Sequence, residues 1–151
     1  MRATVLSCFL LAVVACAKGE QMPAVDSPAM APAAATLSLA DLAGKWTQRV
    51  MAEGSDSVLV TSELNATADA SGWTITLPGR PAMPVQVMVD GDSVMTTTGP
   101  YESVLRKGVT VTTNGVSRLV DGKMVGMTIA HYTTTGADSV VRLRTEATRT
   151  P

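Results

Sequence analysis

From Val58 onward the chain alternates apolar and polar residues with a period of two. Successive side chains of a strand point to opposite faces, so this period predicts half-buried β-structure. Val58, Val60 and Leu64 share one face of "DSVLVTSELNA"; Trp73, Ile75 and Leu77 alternate with threonines; Val85, Val87 and Val89 alternate with Gln86 and Met88. Farther on, Met124, Gly126, Thr128, Ala130 and Tyr132 face away from Val125, Met127, Ile129 and His131. The last run sets Val141, Leu143, Thr145 and Ala147 against Val140, Arg142, Arg144 and Glu146. Threonine recurs in these runs, and a branched side chain that tolerates water suits a half-buried strand.

Turn residues punctuate the runs at hairpin spacing. "ADASG" precedes Trp73, Asp90-Gly91 precedes Asp92, Asp121-Gly122 precedes Lys123, and "TTGAD" precedes Ser139. "GSDSV" at 54–58, "GDSV" at 91–94 and "GADSV" at 136–140 each feed Asp-Ser-Val from a glycine turn into a strand. Their unequal spacing marks reused turn chemistry rather than duplicated domains. Asn114-Gly115 is a turn signal inside a continuous run and predicts a bulge or a turn. "GPYESVLRKG", 99–108, fits either a strand or a single helical turn. Ahead of the strands, "LSLADLAG" sets Ser38 and Asp41 three apart as a weak capping box, with Gly44 to stop the turn, so a short helix is expected.

About eight strands in sequence leave two open edges unless the sheet closes. The prediction is an all-β fold: an antiparallel up-and-down barrel of about eight strands with a short N-terminal helix. A two-sheet β-sandwich is the alternative, although the long crossovers that many sandwiches use are not visible.

The front of the chain reads differently. Arg2 is followed by an apolar or small run from Ala3 to Ala15. As a helix this run is about 20 Å long, short of the ~30 Å that crosses a bilayer core. A positive start, an apolar middle and small residues at the end make residues 1–15 an export signal peptide. "VVAC", Val13 to Cys16, resembles the bacterial lipobox, in which the cysteine is acylated and becomes the new N-terminus. "VLSC" before Cys8 also fits loosely, but the apolar run ahead of it is too short for a signal.

The resemblance implies lipidation at Cys16 and a membrane partner held through the N-terminal lipid. Each buried acyl methylene adds about 0.8 kcal/mol, and several chains anchor stably where one does not. Ala17, rather than aspartate, follows the cysteine, which resembles the pattern passed to the outer membrane, facing the periplasm, in two-membraned bacteria. Residues 16–36 then form the lipidated cysteine and an Ala/Pro-rich flexible tether, too poor in large apolar residues to order itself. Such a length spans about 25 Å as a coil and about 60 Å in polyproline form. Residues 37–151 form the barrel domain.

Charge and cysteine usage narrow the classes. The chain carries 12 basic and 13 acidic residues; without Arg2 the balance is near −2 and no basic patch appears, so nucleic acid is not an expected partner. No cysteine follows Cys16, so the body relies on its core and not on a disulfide.

"AGKW", Ala43 to Trp46, resembles the start of the first strand in lipocalins and the wider calycin barrels. That resemblance implies that Gly44 and Trp46 close the barrel base, with an arginine of the last strand, Arg142 or Arg144, packed across the indole. The domain is shorter than a typical lipocalin and lacks its disulfide and later motifs.

Catalytic chemistry finds little support. His131 is the only histidine and lies mid-strand, and no thiol accompanies it. A zinc site needs three or four ligands that the body does not supply. "DGD" at 90–92 begins like a calcium loop, but Tyr101 stands where the closing carboxylate belongs. Asp56, Asp92 and Asp138 read as turn residues, and Asn65-Ala66-Thr67 as a chance glycosylation sequon. No enzyme activity, cofactor or metal is expected.

Tyr101, Glu102 and Arg106 form the most chemically varied cluster and are candidate rim contacts. The methionines, with Gly126, Ala130 and Ala147, either line a soft apolar pocket or fill the core. The expected function is a membrane-anchored, non-enzymatic barrel that binds a small apolar ligand or an envelope component. The alternative is a structural or protein-interaction lipoprotein with a solidly packed barrel. A continuous cavity above about 300 Å³ separates the two.

Overall fold

Eight strands follow one another: β1 (Gly44–Ala52), β2 (Val58–Ala66), β3 (Thr74–Thr76), β4 (Met83–Asp90), β5 (Ser93–Glu102), β6 (Thr110–Val120), β7 (Lys123–Tyr132) and β8 (Val140–Arg149). This computed structural model describes residues 36–151. The predicted signal, Cys16 and all of the predicted tether except Thr36 lie outside the described residues. Each strand pairs antiparallel with the next, and β8 returns to pair with β1, so the sheet is a closed up-and-down barrel and not a sandwich. Closure leaves no unpaired edge except where β3 is only three residues long.

The period of two in the sequence becomes an inside and an outside. Leu143, Thr145 and Ala147 of β8 are buried while Arg142 and Arg144 are exposed. At the base, the two-residue turns β4–β5 and β6–β7 bring Asp90 opposite Ser93 and Val120 opposite Lys123. Asp121 and Gly122 both have positive φ (49° and 76°), the geometry that a right-twisted hairpin selects.

Two local expectations are corrected. Asn114 and Gly115 make neither a turn nor a bulge: β6 runs through them and pairs without a slip with both neighbours. Gly115 is needed for close approach, because a Cβ there would lie 2.6 Å from Thr96 Oγ1. The register slips instead at Val50/Met51 and at Thr98/Tyr101. "GPYESVLRKG" divides: β5 continues through Glu102, and a turn begins at Ser103, whose Oγ accepts from the amides of Leu105 and Arg106.

The "LSLADLAG" segment contributes a single helical turn, Leu39–Leu42, capped by Ser38 and Asp41. It closes the base, with Leu42 fully buried. Apolar packing falls into two clusters. The base cluster gathers Leu42, Trp46, Leu64, Trp73, Val85, Val94 and Met124. The mouth cluster is smaller, with Val111, Ala130, Tyr132 and Leu143.

Candidate functional site

At the base, Trp46 is wholly buried and its indole N–H donates to the Leu42 carbonyl at 2.8 Å. The arginine over its ring is Arg149, with Cζ 4.4 Å from the ring centroid. Its guanidinium also donates to the carbonyls of Ala43 (2.6 Å) and Asp41 (2.5 Å), which satisfies backbone acceptors left open where the helical turn ends. Gly44 sits at φ +135°, and a Cβ there would come within 2.8 Å of Arg149 Nη1. The assignment of Arg142 or Arg144 to this contact is therefore corrected. Both lie on the outer face, whereas Arg149 continues the inward row of Leu143, Thr145 and Ala147 to the barrel end. Arg144 pairs instead with Asp56 and covers the buried Met51 sulfur at 3.4 Å, and Arg142 is exposed.

Between the two apolar clusters a band of polar side chains enters the interior beside Leu64, Trp73, Ile75, Val85, Val94 and Met124. Gln48, Thr96, Thr98, Thr113, Ser117, Thr128 and Thr145 line a waist that holds a cavity of about 60 Å³. A second cavity, about 70 Å³, lies toward the mouth and shares Gln48, Thr113 and Thr128 with the first. The Thr128 and Thr145 hydroxyls bond each other at 2.7 Å, while the Ser62 hydroxyl is buried without a partner. The methionines do not make the apolar lining anticipated as one possibility. Met124 reaches the lower cavity, but Met88 and Met127 are exposed on the wall and Met51 lies beneath Arg144.

At the mouth, Glu102 and Arg106 latch the 103–108 turn onto the chain itself, each with its own partner. Arg106 stacks on the Tyr132 ring at 4.1 Å and donates to the Asp138 carbonyl at 2.7 Å. Glu102 accepts from the Gly108 amide at 3.0 Å, which fixes the other end of the 103–108 turn. Tyr101 lines the upper cavity; burial pushes its hydroxyl pKa up, offset in part by hydrogen bonding with Thr113.

The remaining candidate groups stay apart. His131 is exposed on β7, opposite Thr112 and Val140. Asp56 pairs with Arg144 and Asp92 with Arg118 (3.3 Å), in turns at opposite ends of the barrel. Among the described residues no three His, Cys, Asp or Glu side chains converge as a metal site would require. In comparisons with family models, curated proteins and solved structures, nothing matches this chain.

Proposed function

We propose that the protein is an exported lipoprotein, held by an acylated Cys16 on the tether of residues 17–36, whose non-enzymatic barrel works by contact through its outer wall with another component of the cell envelope. In a two-membraned cell it would sit on the outer membrane, facing the periplasm. The Gly44–Trp46–Arg149 base supports kinship with lipocalin-type barrels, a reading about architecture and not about a ligand.

The observation that carries the choice of a contact module over a carrier is the interior. Cavities of about 60 and 70 Å³ fall well below the ~300 Å³ that a bound small molecule requires. The chain's own residues close both ends. The wall argues against a barrel embedded in hydrocarbon, because Arg49, Glu63, Arg118 and Arg144 project from it.

The test is Cys16→Ser. The variant should move from the membrane fraction to the soluble fraction or stall with its signal uncleaved. Unchanged retention of a processed protein would overturn the anchor.

A further inference from the structure

One level of the outer wall carries a row that neither the core nor the latch uses. Strand register sets Met88 opposite Met95, Met95 opposite Val116, and Val116 opposite Met127. Met88 is 60% exposed, Val116 50% and Met127 39%. Adjacent strands lie about 4.8 Å apart, so the row is about 14 Å long. The flanking levels are polar across β4 to β6: Gln86, Thr97 and Asn114 above, Asp90, Ser93 and Arg118 below.

We infer that this row is the face the barrel lays on the lipid surface to which its own N-terminus is anchored. The inference rests on the lipoprotein reading above and adds to it which partner the wall meets. The described chain enters beside the row. Leu37 N–H donates to the Gly91 carbonyl at 3.0 Å, in the turn of the same hairpin that carries Met88 and Met95. Met88 is three residues before Gly91, about 10 Å along the strand. Twenty residues, 17–36, join that entry point to Cys16, a span of about 25 Å as a coil.

A tether that enters at Gly91 keeps this side of the barrel within reach of the bilayer. Tethering raises the local concentration to roughly millimolar, so a contact too weak to hold a free protein is still populated. Methionine suits an interface of this kind, being long, unbranched and adaptable. Arg144 stands opposite Met127, but its guanidinium is held by Asp56 and the Met51 sulfur, so the apolar row ends at β7. A second copy of the chain fits less well, because a stable dimer needs about 800 Å² from each partner and four side chains in line supply far less.

Peroxide oxidation followed by peptide mass spectrometry tests the contact. The full-length lipidated protein in phosphatidylcholine vesicles is compared with Cys16→Ser protein in solution. On vesicles Met88, Met95 and Met127 should oxidise about fivefold more slowly, while Met83 at the other end of β4 is unchanged. Val116→Asp, on an exposed site, should abolish the protection and leave co-flotation with vesicles intact. Equal rates in protein that co-floats would overturn the row and leave the anchor standing. Failure to co-float would overturn the anchor and the inference with it. Protection already present in solution and lost on dilution would assign the row to self-association instead.

Discussion

The two ends of the barrel are closed by the same kinds of contact and to very different depths. At the base, Arg149 lies on Trp46 and reaches two backbone carbonyls, over a cluster that includes a second tryptophan. At the mouth, Arg106 lies on Tyr132 and reaches one carbonyl, over a cluster of four buried residues. In both, a guanidinium bridges a ring and a loop that would otherwise swing free. The difference lies in the apolar mass beneath. The base is the fold's foundation and the mouth a latch, which makes the mouth the end that opens first.

Truncation tests this most severely. Trp46→Ala should cost about 4 kcal/mol in urea unfolding, the range for deleting a buried large aromatic. Tyr132→Ala should cost about half as much, since the ring lies at the rim beneath an exposed loop. Equal losses would break the comparison. Arg149→Met should cost about 1 kcal/mol by losing its hydrogen bonds and ring contact, after discount for its exposure. Arg142→Met should stay within about 0.5 kcal/mol, as a surface change away from any partner. The reverse order would restore Arg142 as the base arginine.

Arg106→Ala should barely move the midpoint, yet the amides of 103–108 should exchange roughly tenfold faster with solvent while those around Trp46 keep their protection.

The smallest effect is in pH. Asp41 is held below the ordinary carboxylate range by hydrogen bonds from the Ser38 amide and hydroxyl. Its contribution is present above about pH 4 and is lost as pH falls through the lowered value. Tyr101 is shifted up by burial, so its contribution is present below about pH 10 and is lost as pH rises through the raised value. The base should therefore loosen in acid and the mouth in alkali. Asp41→Asn should flatten the acid limb and Tyr101→Phe the alkaline limb of a stability profile.

The fold was largely legible, because alternation and two-residue turns are both written locally. The β6–β7 hairpin at Asp121-Gly122 is an example, since its turn needs two positive φ angles and the residues there permit them. Asn114-Gly115 misled because glycine marks close approach as well as turns, and only the partner strand says which.

At the base, Gly44 and Trp46 stood out as a short motif, whereas Arg149 did not. Strand parity alone separates it from Arg142 and Arg144, and it becomes relevant only once β8 is known to run to the barrel's end. The hydroxyl waist was hidden because threonine serves either face of a strand. The methionine row depends on the register among four strands, which no single segment encodes.

Native mass spectrometry of the full-length protein, extracted from membranes in mild detergent, tests the central claim most directly. The account predicts a chain beginning at acylated Cys16 with no further stoichiometric mass. A retained apolar molecule on the barrel, or a mature chain that begins elsewhere and carries no acyl group, would contradict it.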